Sequence, residues 1–333
     1  MKRLFAIAVA LGVLVLAAAV LWAVPAHDFL FIPNKASPLA GYVQVQGAHP
    51  RGSGDVYFVD VFVRRTTLLE QWFPFTRPSG STLVPESVYL PKGTSEQQSV
   101  QQTEEEIKRS ELVAPVVALR ALGYHVVAKP LGALVTAVAS GAPATGKLEP
   151  DDVIVAVDGK TVRTPAELRA AITTRKPGAT VRLTVRRGSE TLHLRLGTIP
   201  APDNPKRPIV GIEVDQAADI KLPRKISIDL GPVRGPSAGL PFALEIAREL
   251  GRDVTHGCRV AATGELDLEG DVLPVGGLKQ KTIGARRSGV DVFLVPAGEN
   301  YAEARQNAGG LRIVPVDSFQ QALHYLTTNR LKC

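Results

Sequence analysis

The sequence feature that most constrains this chain is an uncharged apolar run near its amino terminus. Leu4–Val24 contains no charged residue, and Lys2 and Arg3 precede it. A helix of this length spans roughly 30 Å, the thickness of the hydrocarbon core of a bilayer. Because positive flanking charges favour the cytoplasmic side, the run predicts a transmembrane anchor within residues 1–26 and an extracytoplasmic body. The alternative is a cleaved signal peptide, although its apolar region is usually shorter.

Composition places the rest of the chain among ordinary globular proteins. The 333 residues are enough for about two domains, and 45% are hydrophobic while 21% are charged. Aromatic residues make up 5%, and the basic residues of segment 160–195 interleave with strand residues, so no nucleic-acid partner is expected. Neither Cys258 nor Cys333 belongs to a CxxC motif or a Cys/His cluster, so no metal site is expected.

One segment resembles a phosphate-binding loop without meeting its requirements. Gly141–Leu148 follows the pattern GxxxxGK, but Leu148 stands where a hydroxyl would hold magnesium. Pro143 is also unsuited to a backbone cradle for phosphate. The sequence therefore predicts no nucleotide cofactor.

Residues 27–120 predict an exported region that contains strands but carries no recognisable chemistry. Tyr42–Gln46 and Val56–Val63 show the alternation and β-branched content typical of strands. The polar stretch Gly93–Arg109 has no sheet pattern and indicates either the start of a helix or a mobile connection.

Residues 121–200 predict a compact domain of strands and one helix. Asp152–Lys160 is typical of a strand that ends in a tight turn, and Thr164 and Pro165 are a cap and first residue for the helix. This order resembles a PDZ domain of the kind attached to bacterial proteases. The resemblance implies an extended-peptide groove, with backbone N–H groups offered by the loop residues Leu131, Gly132, Ala133 and Leu134. The alternative is a β-rich spacer.

Residues 205–330 predict the domain that carries chemistry, after a linker at Asn204–Pro208. Ile226–Leu230 alternates as a strand, and helical spacing begins at Leu240. Ser237 thus stands just before a helix N-terminus, where free N–H groups favour a developing oxyanion. The alternative role for Ser237 is that of a helix N-cap.

A lysine in a later segment predicts a partner for this serine. Helical spacing after Gly277 puts Lys281 on the same face as Leu278 and Ala285, and Lys279 on the opposite face. Burial of an amine lowers its pKa and lets it accept a proton, so Lys281 and Ser237 would form a base and nucleophile pair. The alternative is a structural lysine that pairs with Glu265 or caps carbonyl groups.

Three motifs in this region resemble the proteolytic domain of Lon proteases, in the smaller membrane-anchored, PDZ-containing branch that lacks the ATPase. They are Gly235–Gly239, Thr263–Glu265 and Leu273–Lys281. The resemblance implies Ser237 as nucleophile, Lys281 as general base and Thr263 as the residue that orients the lysine. It also implies a homo-oligomer. Arg234 departs from ATP-dependent relatives, which usually carry an acidic residue there.

The predicted fold is therefore a mixed α/β multidomain chain, with an N-terminal transmembrane helix, a β-rich PDZ domain and a C-terminal Lon-type proteolytic domain. The predicted activity is cleavage of exported proteins or peptides without ATP. Gly235–Gly239 also fits GxSxG, so an esterase that uses Ser237 with Asp317 and His324 is one alternative. A PDZ-based membrane scaffold with an inert protease-like domain is the other.

Overall fold

A computed structural model of the chain describes residues 2–48, 50, 53–90, 96–202, 204–231, 233, 235–329, 331 and 333. The chain divides into two compact units. Unit 1 comprises Met1–Glu111, Ser227–Leu266 and Asp271–Cys333, and unit 2 comprises Leu112–Ile226 and Asp267–Gly270. Unit 2 is thus largely an insertion in the chain of unit 1.

The helices are labelled in chain order. They are α1 Lys2–Ala23, α2 Leu68–Trp72, α3 Glu86–Tyr89, α4 Glu96–Ala121, α5 Pro165–Thr173, α6 Gly239–Glu249, α7 Leu278–Arg287, α8 Glu299–Asn307 and α9 Phe319–Thr328. Short 3₁₀ turns cover Pro74–Thr76 and Pro236–Ala238.

The strands are labelled in the same way. They are β1 Pro25–Pro33, β2 Ser37–Pro38, β3 Val43–Val45, β4 Asp55–Phe58, β5 Val61–Thr67, β6 Thr82–Val84, β7 Val127–Val138, β8 Val153–Val157, β9 Lys160–Thr161, β10 Thr180–Arg187, β11 Glu190–Gly197, β12 Ile199–Ala201, β13 Asn204–Ile209, β14 Ile212–Lys221, β15 Ile226–Ile228, β16 Arg259–Ala262, β17 Glu265–Leu266, β18 Val272–Leu273, β19 Val292–Pro296 and β20 Arg312–Val316.

Helix α1 agrees with the apolar run seen in the sequence. Leu4–Ala23 is 20 residues long, and none of its residues is buried within the chain. By length and composition it meets the requirement for crossing a bilayer, a requirement that a signal sequence also meets.

The central sheet of unit 1 has the order β2-β4-β16-β19-β20, in which β4, β16, β19 and β20 are parallel. Helix α7 lies between β16 and β19 in the chain, and α8 lies between β19 and β20. Apolar side chains of the sheet and of α7, including Ala261, Phe293, Leu278 and Ala285, form one buried cluster. The carboxyl ends of β4 and β16 are neighbours, because Phe58 pairs with Ala262.

The remaining strands of unit 1 form small sheets of two or three strands. Strand β1 pairs with both β5 and β6, and β15 pairs with β3. From Glu96 onward the polar stretch is helical, so the predicted helix start is confirmed there, while Gly93 lies outside the described residues.

Unit 2 contains a sheet of order β11-β10-β8-β7-β14, with β9 beside β8. Helix α5 begins as predicted, since the Thr164 hydroxyl accepts the Glu167 amide at 3.1 Å. Leu168 and Ile172 of α5 are buried in the core of the unit. The linker prediction at 204–208 is wrong, because these residues belong to β13, which pairs with β12.

Cys258 and Cys333 form a disulfide in unit 1, across a sequence separation of 75. Cys258 lies directly before β16, so the bridge fixes Cys333 to the start of a central strand. Asp291 lies close to both sulfur atoms. Because the sulfur atoms are bonded to each other, this group offers no thiolate ligand for a metal.

Candidate active site

Ser237 lies in the 3₁₀ turn that precedes α6 and is half-buried. The cap residue of α6 is Ala238, and the helix has no side-chain cap. None of the described residues hydrogen-bonds to the Ser237 hydroxyl. The alternative role of Ser237 as an N-cap is therefore wrong, and its hydroxyl is not engaged in holding the helix.

The backbone around Ser237 is held from two sides. The Gly264 amide donates to the Ser237 carbonyl at 3.0 Å. On the other side, the Gly235 amide donates to the Thr103 carbonyl at 2.9 Å, and the Ser110 hydroxyl donates to the Pro236 carbonyl at 2.9 Å. Helix α4 therefore supports the turn directly before the serine. Arg234, the position noted as a departure, lies outside the described residues.

Lys281 faces inward on α7, as its helical position predicted. Its side chain is only 4% exposed, and Nζ donates to the Thr263 hydroxyl at 3.2 Å. Burial lowers the pKa of Lys281 to about 7, while the negative charge of Asp60 acts in the opposite direction. Within the described part of the chain Lys281 forms no ion pair, so the alternative pairing with Glu265 is not present.

Thr263 connects the serine segment to the lysine. Its buried hydroxyl accepts from Lys281 Nζ and donates to the Ser237 carbonyl at 3.3 Å. Thr263 directly follows β16, and its amide donates to Leu294 of the neighbouring strand at 3.0 Å. The structure thus brings Ser237, Thr263 and Lys281 to one edge of the central sheet; their catalytic roles stay predictions.

Asp60 was not singled out by the sequence, and it lies beside the same helix face. Gly284 lies one turn after Lys281 on α7, and Gly277 is the residue directly before the helix, at the turn that precedes Lys281. A Cβ at Gly277 would lie 2.8 Å from Val61 Cγ2, and one at Gly284 would lie 3.4 Å from Val59 Cγ1. The segment that carries Asp60 therefore runs along the face that carries Lys281.

The Asp60 carboxylate has a fixed position. Asn34 Nδ2 donates to both of its oxygens, at 3.0 Å and 3.1 Å. The backbone carbonyl of Asn34 lies against Gly284, where any Cβ would overlap it. Glycine at position 284 therefore lets α7 approach the Asn34–Asp60 pair closely. The only sequence signal was Asp60 itself, a charge inside a run that otherwise alternates as a strand.

Lys279 lies apart from this group, as predicted from its helix position. Its Nζ donates to the Thr82 hydroxyl at 3.1 Å, and the side-chain Nε2 of Gln280 donates to the same hydroxyl at 2.7 Å. Lys279 is therefore a matched control for Lys281, since both are lysines of one helix.

The structure does not assemble the alternative triad. His324 is exposed on α9, and no hydrogen bond joins it to Ser237 or Asp317, all three of which are described. The Asp317 carbonyl accepts the Val272 amide at 2.8 Å instead.

The four residues predicted to form a peptide-binding loop lie within a strand of unit 2. Leu131, Gly132, Ala133 and Leu134 belong to β7. Strand β14 lies on one side of them, where Leu134 pairs with Asp215, and β8 lies on the other, where Ala133 pairs with Ile154. Ala133 and Leu134 are therefore enclosed by two strands and are not a free edge for a peptide. Gly132 pairs with β14 alone, and Leu131 lies at a bulge in that pairing.

Comparison with known proteins agrees with both domains. Residues 120–198 match the family model of the PDZ domain, and residues 218–328 match that of the Lon protease (S16) C-terminal proteolytic domain. The chain carries a PDZ domain and a Lon-type proteolytic domain. The predicted presence of these domains and the mixed α/β fold class are confirmed.

Among curated relatives, the Lon protease of Campylobacter jejuni is 36% identical over 132 residues, which cover 32% of this chain and 16% of the relative. The Lon protease of Mesomycoplasma hyopneumoniae is 37% identical over 99 residues, covering 28% and 11% respectively. The chain thus spans less than a fifth of the length of either relative.

Among solved structures, the PDZ domain of an SdrC-like protein from Listeria monocytogenes is 24% identical, with a TM-score of 0.24. The match covers 25% of this chain and 87% of that one.

Proposed function

We propose that this chain is a membrane-anchored serine endopeptidase in which Ser237 is the nucleophile and Lys281 is the general base. The observation that supports this most is the link made by Thr263. One buried hydroxyl contacts both the Lys281 amine and the Ser237 carbonyl, within a domain that matches a serine protease family. An amine with a pKa of about 7 is a fitting proton acceptor at neutral pH.

The proposed reaction is acyl transfer. Neutral Lys281 Nζ takes the Ser237 hydroxyl proton as Oγ attacks the peptide carbonyl carbon. N–H groups of the turn before α6 stabilise the oxyanion, and the lysine ammonium gives its proton to the leaving amine as the C–N bond breaks. Water then hydrolyses the acyl-enzyme, with Lys281 accepting the proton of the water and Ser237 recovering its own.

We propose that the body is extracytoplasmic and that no ATP is needed. Lys2 and Arg3 before α1 favour the cytoplasmic side, and the disulfide fits an oxidising compartment. The phosphate-loop-like segment supports ATP independence, because Ala144 and Leu148 are buried in the core of unit 2. We also propose that the substrates are exported proteins. The chain is further proposed to form a homo-oligomer.

We also propose that extended substrates add to the outer edge of β14, rather than at Leu131–Leu134. Strand β14 ends the sheet of unit 2, and Ile212 and Val214 are half-buried beside the core, as is Ala171 of α5. An edge strand next to a helix suits a peptide that pairs by its backbone. Anisotropy of a fluorescent extended peptide, with Ile212→Asp as the altered protein, measures this binding.

The proposed function predicts that the detergent-solubilised chain converts casein to fragments without ATP. Because no hydrogen bond joins His324 to Ser237, both of which are described, the His324→Ala protein is expected to retain its rate within about twofold. A gel time course measures both proteins. Loss of cleavage in His324→Ala would favour the esterase-type triad, and an inert wild-type protein would favour the scaffold.

The pH profile is a second prediction of this function. Only the neutral form of Lys281 is a base, so kcat/KM is expected to rise with pH through about 7 and then level off. Below that midpoint the rate falls about tenfold per pH unit. Since the charge of Asp60 raises the pKa of Lys281, Asp60→Asn is expected to move the midpoint to lower pH.

Asp55→Asn is the control for this measurement. Asp55 is the first residue of β4, whereas Asp60 follows the carboxyl end of the same strand. Its removal is expected to leave the midpoint unchanged. A midpoint that stays fixed in Asp60→Asn, or that moves equally in both variants, would contradict the role given to Asp60.

A further inference from the structure

Four consecutive apolar residues of unit 1 are exposed. They are Trp72, Phe73, Pro74 and Phe75, here called the aromatic knob. Trp72 is 63% exposed, Phe73 39% and Phe75 84%. A run of this kind is unfavourable on a surface that faces only water, so it indicates a surface that binds something apolar.

Helix α2, which leads into the knob, is held by hydrogen bonds at both of its ends. Thr67 and Glu70 form a capping box at the start of α2, and Arg64 donates to both oxygens of the buried Glu70 carboxylate. At the other end of α2, Arg77 donates to the carbonyls of Glu70 and Gln71, at 2.6 Å and 3.1 Å. The backbone that displays the aromatic rings is therefore fixed by charge-assisted hydrogen bonds.

The start of α2 lies directly at the end of the apolar helix α1. The Leu68 amide, the first of α2, donates to the Val24 carbonyl at 3.0 Å, and Thr67 pairs with Pro25. Helix α2 has five residues and a length of about 7.5 Å. The polar layer of a bilayer is about 5–8 Å thick on each side. The knob thus lies within reach of the level at which α1 would leave the hydrocarbon core.

We propose that the aromatic knob inserts into the phospholipid interface of the membrane that α1 crosses. This inference rests on the proposed membrane anchoring. Trp and Phe side chains bury apolar area, and Trp prefers the headgroup level, where its ring N–H finds polar partners. Continuity with α1 selects the lipid surface as the occupant, since any apolar phase that holds Leu4–Ala23 extends to the base of the knob.

The chain has only two tryptophans, Trp22 and Trp72, which makes the test direct. The full-length Trp22→Phe protein, reconstituted in phosphatidylcholine vesicles, contains Trp72 as its one tryptophan. With lipids brominated near the carbonyl end of the acyl chain, Trp72 is expected to lose about half of its fluorescence. Lipids brominated near the terminal methyl group are expected to quench it clearly less.

Trp72→Phe is the companion protein, because Trp22 in α1 then reports anchoring by itself. Quenching of Trp22 without quenching of Trp72 would overturn the inference and leave the anchor intact. Absence of quenching in both proteins would overturn the inference together with the anchor. If Trp72 is unquenched by lipid but protected from aqueous acrylamide, the knob binds a second copy of the chain, and the inference is again overturned.

A pair of substitutions in the Trp22→Phe protein separates a local effect from a general one. Phe75→Ser removes an apolar ring of the knob and is expected to reduce Trp72 quenching about twofold. Phe62→Ser changes another exposed ring, on β5, which pairs with Ile32 at the far end of β1 from α1. It is expected to leave the quenching unchanged. Equal effects of the two substitutions would contradict insertion of the knob.

Discussion

Replacing Lys281 with methionine is expected to lower kcat/KM for casein by at least about 10³-fold. Among the described residues, Thr263 Oγ1 hydrogen-bonds only to this amine and to the Ser237 carbonyl. The pKa of the amine, about 7, makes it a base at neutral pH. Methionine has a similar length and no charge, so it suits a site that is only 4% exposed. The loss is therefore expected in the rate and not in the fold, as thermal unfolding of the variant measures.

Three further variants test whether the loss of activity is specific to the Lys281 amine and the Ser237 hydroxyl. Lys279→Met changes a lysine of the same helix that binds Thr82, and its rate is expected to stay within about threefold of wild type. Lys281→Arg is expected to be as inactive as Lys281→Met, because a guanidinium does not lose its proton. Ser237→Ala is expected to lose activity to a similar extent. A Lys281→Met protein that retains wild-type rates would remove the lysine from the mechanism.

Loss of the disulfide is expected to lower the free energy of unfolding by about 4 kcal/mol, within a usual range of about 2–5 kcal/mol. The bridge closes a loop with a sequence separation of 75 and so restricts the unfolded chain strongly. It also holds the residues after α9 at the base of β16, the strand that leads to Thr263. Urea unfolding of the double variant Cys258→Ser and Cys333→Ser measures this difference.

The reduced wild-type protein is the matched control, since it keeps both sulfur atoms and lacks only the bond. It is expected to lose a similar free energy, whereas the reductant should leave the double variant unchanged. Casein cleavage by the folded variant is expected to stay near wild type, because the bridge lies at the opposite end of β16 from Thr263. A change below about 1 kcal/mol in both proteins would show that the bridge contributes little.

The parts of the site that sequence analysis placed correctly are local. Periodicity alone put Lys281 on the inner face of α7 and Lys279 on the other, and the structure has both positions. The cap and first residue of α5 were likewise predicted, because capping needs particular residues within one turn.

The parts that sequence analysis missed depend on pairing between distant segments. Asp60 lies beside Lys281 because β4 pairs with β16, and no local pattern specifies that partner. The enclosed position of Ala133 and Leu134 depends on β14, which begins some 80 residues later. The prediction of a linker at Asn204–Pro208 was wrong for a similar reason, because the strand there depends on pairing with β12. The two prolines of this segment argued against a strand, yet an edge pairing with β12 tolerates them.

The insertion of unit 2 has a consequence for the order in which the protein is made. Strand β4 is complete when Phe58 has been synthesised, but its parallel neighbour β16 follows about 200 residues later. During that interval the nascent chain exposes an unpaired strand edge, a state prone to association with other chains. A newly synthesised polypeptide of this kind would therefore need shielding until β16 emerges, and Ser237, Thr263 and Lys281 would come together only after that.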